Sequence, residues 1–218
     1  VLLLLTITFA SVDWLMSLDP HWFSTIFGFL FIVGALLATL AFAICVVALL
    51  ADYRPLGDIA SPARLHDLGN LLLTFVLLWA YMAFSQYLII WLGNLPEESS
   101  WYLVRTRAGW AVVPALLIAF HFGLPFTLLL ARRTKRTLAR LTAVAGLLLF
   151  MRLVDLFWLI APGAHELQVR IHWMDLAAPV AIGGFWLAFF SWQLRANPLL
   201  PLNDPRLAAL LETAGGES

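Results

Sequence analysis

The chain has 218 residues, 62% of them hydrophobic and 12% charged, and its mean hydropathy is +0.91. Soluble domains are roughly 45–50% apolar and about 25% charged, so this composition excludes an ordinary soluble domain and points to an integral membrane protein. A formal net charge of zero argues against a nucleic-acid partner; the single cysteine, Cys45, excludes an intrachain disulfide and cannot alone hold an iron–sulfur cluster.

A spanning helix needs about 20 predominantly apolar residues. Six runs are expected to span: residues 1–16, 24–51, 69–92, 108–131, 138–161 and 173–194. The first is short, and a chain that begins on Val1 in mid-run reads as a fragment or processed chain rather than a protein with a signal peptide. Connections are short and no run alternates like a barrel strand. The expected fold is therefore an all-α polytopic transmembrane bundle over residues 1–194, with antiparallel neighbours and a tail over 195–218.

Lysine and arginine set the orientation. Nine follow the second, fourth and sixth spans: Arg54, Arg64, Arg132, Arg133, Lys135, Arg136, Arg140, Arg195 and Arg206. Three lie on the other side, Arg105, Arg107 and Arg170, and Arg152 lies inside a span. The positive-inside rule places the RRTKR loop and the tail in the cytoplasm. The joint around His21 and the loops 94–107 and 162–171 then face outward. In the tail, Asn203 or Asp204 is expected to cap a short helix with Pro205 in its first turn.

The titratable residues follow in chain order. The joint 17–28 reads SLDPHWFSTIFG, and with the end of the first span it crowds Asp13, Trp14, Asp19, His21 and Trp22 together. Tryptophan favours the membrane–water interface, so this stretch is either an interfacial anchor with a helix cap or a proton or redox site at that face. Ser85 and Gln86 in the third span are candidates to continue a polar path. In the fourth, His121 sits near the middle of IAFHFGLPF. Pro125 has no N–H, so the His121 carbonyl loses its usual donor, and Pro114 disturbs the same helix earlier. His121 is then an interhelical hydrogen-bonding residue or a proton relay. Haem ligation would need a second histidine at matched depth, and the sequence offers none.

Arg152 and Asp155 in the fifth span lie i, i+3 on one helix face, with Asp155 about 9 Å from the outer end of the run. Each charge at membrane depth costs about 2.5–3.5 kcal/mol on insertion scales, so the two form a neutralised structural pair or a switchable carboxylate in a relay. The sixth span opens with His172 and Asp175, again i, i+3; Asp175 either complements the helix dipole or joins the same path. Asp13, Asp19, His21, Asp155, His172 and Asp175 thus share the outer half, a layering that suits proton handling or partner docking. Pro179, Gly183 and Gly184 suit close packing, and an interfacial belt accounts for Trp14, Trp22, Trp91, Trp101, Trp110 and Trp173.

Two segments carry a family resemblance. Residues Ser17-Leu18-Asp19-Pro20-His21-Trp22-Phe23-Ser24-Thr25-Ile26-Phe27-Gly28 and Asn197-Pro198-Leu199-Leu200-Pro201-Leu202-Asn203-Asp204-Pro205 resemble the second NrfD-like membrane subunit, the F subunit, of alternative complex III. That complex is a bacterial quinol:electron-acceptor (cytochrome c) oxidoreductase. Such subunits have about ten spans, and this chain would correspond to roughly the last six. The resemblance implies the bacterial inner (cytoplasmic) membrane, with the C-terminus cytoplasmic. It also implies a second NrfD-like membrane subunit, an iron–sulfur subunit and multihaem cytochrome c subunits as partners in the bilayer. Haem c and iron–sulfur clusters would then sit in those partners, with no cofactor held covalently by this chain and a quinone or menaquinone contact left open.

The quinol-associated relative carries Trp-His-Ser-Thr where this chain has Trp22-Phe23-Ser24-Thr25, so Phe23 replaces a histidine suited to quinol deprotonation. The expected role is a subunit that contributes a proton-conducting path or structural anchoring rather than the main quinol site. Its path candidates are Asp13, Asp19, His21, His121, Arg152, Asp155, His172 and Asp175, with no catalytic residue and no metal site assigned. A purely structural anchor and a stand-alone small-solute transporter are the alternatives. A transporter favours paired interrupted helices, and span four has no matching partner segment.

Overall fold

A computed structural model of the chain describes residues 1–53, 60–107, 109–164, 169 and 171–197. Among these there are helices and no strand, and five helices are long and apolar enough to cross a membrane. The chain is a multi-pass all-α bundle. Residues from 198 onward, including Asn203, Asp204, Pro205 and Arg206, lie outside the described residues, as do Arg54, Ala108 and Arg170.

Helix α1, Leu2–Trp14, is a shorter apolar helix, about 20 Å long at 1.5 Å per residue. Helix α2 covers Phe27–Leu50. Helix α3, Pro62–Gly93, begins well before the expected start at residue 69. Its entry signals explain the extension: the Ser61 hydroxyl accepts from the Arg64 N–H, and Pro62 occupies the first turn. Its exit is equally marked, since Asn94 takes the left-handed conformation (φ 47°) that closes many helices.

The expected loop 94–107 is instead helix α4, Pro96–Thr106. Pro96 in its first turn, Glu97 and Glu98 beside it and Arg105 in its last turn are the residues such a helix needs at each end. Helix α5 runs Val112–Leu130, and its centre, Leu117–Gly123, is π-helical. The physical cause is Pro125, which cannot donate to the His121 carbonyl, so the ladder slips to a wider turn there. Short helix α6, Arg132–Arg136, contains the RRTKR motif. Helices α7, Leu138–Ala164, and α8, Trp173–Ala196, complete the described chain.

Helix α2 packs on both α3 and α7, and α1 packs on α2. Leu37, Ala41 and Ile44 of α2 meet Leu72 and Val76 of α3 and Leu141, Ala145 and Leu148 of α7 in one apolar core. A second cluster closes the end of the bundle that carries α4. There Trp22, Phe27, Ile90, Trp101 and Leu159 bring the α1–α2 joint, the end of α3, α4 and the end of α7 together. This corrects the belt assignment. Trp14, Trp91 and Trp173 are exposed, but Trp22, Trp101 and Trp110 are buried, and Trp22 stacks on Trp101 at 4.7 Å. At the opposite end, Lys135 of α6 is buried and its Nζ donates to Asn70 Oδ1 at 2.7 Å. Gly69 makes room for it: a Cβ there would lie 2.6 Å from Lys135 Cγ. Helix α8 has no buried residue and touches α2 through Phe42, which meets Trp186 and Phe190 edge-on.

Candidate functional site

Helices α2, α5 and α7 bring three of the expected residues together in the interior. Arg152 and Asp155 are both buried and joined by a salt bridge from Nη1 to Oδ2. Asp155 lies about 14 Å below the end of α7 at Ala164, at 1.5 Å per residue, because the helix continues past the expected end of the run. The Arg152 guanidinium packs against α2, where Gly34 has no side chain; a Cβ at that position would collide with it. The Phe31 ring, one turn earlier on α2, lies 5.5 Å from the guanidinium carbon.

His121, in the π-helical turn, is fully buried; the Met151 backbone comes within reach of its ring, but neither ring nitrogen completes a hydrogen bond of good geometry among the described residues. Its ring lies 4.2 Å from that of Trp79 on α3, and the charges of Asp155 and Arg152 both reach it. The wider turn is what presents this imidazole, since a regular ladder would need the donor that Pro125 lacks.

Asp155 also lines a cleft of about 610 Å³ between α3, α4, α5 and α7. Its walls are mainly apolar and aromatic, with Trp79, Tyr87, Trp101, Tyr102, Phe122 and Trp158 among them. Gln86 adds an amide that is 1% exposed; it lies close enough to Tyr102 to act on its hydroxyl, but neither amide atom completes a hydrogen bond of good geometry among the described residues. The volume and the few convergent polar groups are those of a small-molecule site.

Above the cleft sits Arg105, which the charge count treats only as a topology signal. It is buried, donates to the Leu159 carbonyl at 2.8 Å and the Trp101 carbonyl at 3.2 Å, and stacks 3.6 Å over the Trp101 ring. Burial lowers its pKa to about 10, opposed by the charge of Asp19 and by Tyr102. It therefore stays charged at neutral pH. Burial also pushes the Tyr102 phenol up, with Gln86 and Arg105 opposing, so Tyr102 is a neutral donor. An arginine four residues after a tryptophan, in a segment opened by Leu95-Pro96-Glu97-Glu98, was the available signal for this helix and its buried face.

The remaining expected residues do not converge on the interior pair. Asp19 reaches Arg105 electrostatically and is half-buried, and its carbonyl accepts from the Trp22 N–H at 3.0 Å. Asp13 and His21 are exposed at the same end; the Asp13 carbonyl accepts from the Ser17 hydroxyl. His172 and Asp175 form a capping box on α8: the Met174 N–H donates to His172 Nδ1 at 3.4 Å, and the His172 N–H donates to Asp175 Oδ2 at 2.8 Å. Among the described residues no three His, Cys, Asp or Glu side chains converge to hold a metal ion. The sequence matches no protein-family model and no curated protein.

Proposed function

We propose that this chain is a membrane subunit of a bacterial quinol:electron-acceptor oxidoreductase of the alternative complex III type, and that it carries protons through Asp155. The observation that supports this reading is the interior trio. A buried carboxylate is paired with Arg152, felt by the fully buried His121, and set on the wall of an aromatic cleft. An intramembrane carboxylate of this kind is expensive to bury and suits a group that binds and releases a proton as its partner moves.

A quinone or menaquinone ring fits the cleft by size and lining. The Gln86 amide and the Tyr102 hydroxyl, both lining the cleft and close to each other, would donate to one carbonyl oxygen of such a ring. A quinone supplies two-electron, two-proton redox chemistry when bound. This chain would contribute the aromatic walls, the orienting hydrogen bonds and the nearby Asp155. Haem c and iron–sulfur clusters belong to the partner subunits in this reading, and the exposed apolar face of α8 suits contact with a neighbouring membrane subunit or lipid.

The test is copurification from native membranes with a tag on the C-terminal tail, followed by mass spectrometry and a haem spectrum. Recovery of c-type haem and iron–sulfur subunits with a second NrfD-like protein supports the assignment. Recovery of the chain alone overturns it and moves the weight to a transporter.

A further inference from the structure

Gln86 lines two cavities at once. One face belongs to the cleft of about 610 Å³ that holds Asp155. The other belongs to a smaller pocket of about 110 Å³ lined by Phe23, Ser24, Thr25, Ile26, Ile89, Ile90 and Glu98. The pocket lies at the α4 end of the bundle, where the α1–α2 joint meets the end of α3 and the first turn of α4. Its polar groups are two hydroxyls, a carboxylate and the Gln86 amide. Gln86 is 1% exposed; its amide lies close enough to the Tyr102 hydroxyl to act on that phenol, yet neither amide atom completes a hydrogen bond of good geometry among the described residues.

A buried amide whose hydrogen bonds are not completed within the protein is costly, and such groups are normally satisfied by water or a ligand. A water needs about 10–15 Å³ of probe volume and two to four polar partners, and the pocket exceeds both requirements. The cleft on the far side offers Asp155 and Tyr102 as its next polar groups.

We propose that the Ser24–Thr25–Glu98 pocket is a hydrated vestibule, and that Gln86 is the polar wall through which its water reaches Asp155. Glu98 is half-buried at the vestibule and is the carboxylate nearest solvent on this route. Gln86 is a positioning residue: its amide accepts from and donates to water on both sides without itself changing charge. The route gives Ser24 and Thr25, in the joint motif, a role beyond joining two helices. The claim that protons travel along it rests on the reading of Asp155 as a proton carrier; the water access does not.

Radiolytic hydroxyl-radical footprinting of the purified native assembly marks side chains that lie against water. Ile90 lines the vestibule and is 4% exposed, Leu117 lines the cleft and is 3% exposed, and Leu72 is fully buried and lines neither cavity. Ile90 and Leu117 are expected to be oxidised in the native protein while Leu72 is protected. Gln86→Leu should cut labelling of Leu117 several-fold and leave Ile90 labelled, and Gln86→Asn should retain both. Protection of Ile90 to the level of Leu72 would overturn the vestibule even if no Gln86 variant folds. Unchanged labelling of Leu117 in Gln86→Leu would overturn the role of Gln86. Failure of the proton reading shows separately: proton release would survive substitution of Asp155 while the footprint stayed as described.

Discussion

Arg152–Asp155 and His172–Asp175 look alike in the sequence. Each sets a carboxylate three residues after a basic or titratable side chain, and each belongs to the same half of the bundle. The structure gives them opposite fates. Arg152 and Asp155 sit deep on α7 and bond to each other through their side chains. His172 and Asp175 straddle the start of α8, where each side chain bonds to backbone N–H groups. The i, i+3 spacing says only that two residues share a helix face. Distance from the helix terminus decides the rest, because orphan N–H groups exist only in the first turn. Inside the helix the carboxylate must find a cation or a proton.

That difference orders the expected effects of substitution. The largest belongs to the buried pair. Asp155→Ala leaves the Arg152 charge uncompensated among apolar neighbours, and removing one partner of a buried pair costs about 3–5 kcal/mol. Thermal unfolding in detergent should show the loss, and Arg152→Gln combined with Asp155→Asn should recover most of it. A single variant as stable as the parent would mean the pair is hydrated rather than buried. Next is Gly34→Ala, which forces the guanidinium off α2. Overpacking of this sort costs about 1–3 kcal/mol, and a double-mutant cycle with Arg152→Met should abolish most of the penalty. A cycle with no coupling would place the collision elsewhere.

The cap pair should respond less. Asp175→Ala removes the N3 half of the capping box and an acidic group from the first turn, an effect of about 0.3–1 kcal/mol, read as faster amide exchange confined to the first turn of α8. Loss extending to α7 would contradict the separation of the two regions. The smallest expected effect concerns Arg105. Burial lowers its pKa to about 10. The unfolded chain therefore binds the extra proton only between that value and the ordinary arginine range, so Arg105-linked stability rises with pH only there. Between about pH 5 and 9 it should be flat, and Arg105→Met should leave the pH profile of unfolding unchanged in shape.

Much of the fold was legible because membrane length and apolarity are strong signals. The five long helices fall on expected runs, and Pro125 foretold trouble in the ladder at His121. What stayed hidden depends on tertiary contact. Trp22 and Trp101 carry the composition of an interfacial belt, yet they stack on each other under α4. Arg105 reads as a topology charge until the Leu159 carbonyl is seen beside it. Gly34 means nothing in the sequence until Arg152 arrives from another helix. The α8 capping box was readable, since His172 and Asp175 stand at N-cap and N3 positions, but the spacing alone grouped them with the interior pair.

The most direct test of the central claim is quinol-driven proton release per electron by the assembly reconstituted in liposomes. It compares Arg152→Gln/Asp155→Asn with Asp175→Asn. The interior double variant should lose proton translocation while haem content and electron transfer persist, and Asp175→Asn should translocate as the parent does. Full proton translocation by the interior variant, or equal loss in both, would contradict the assignment of Asp155 as the proton carrier.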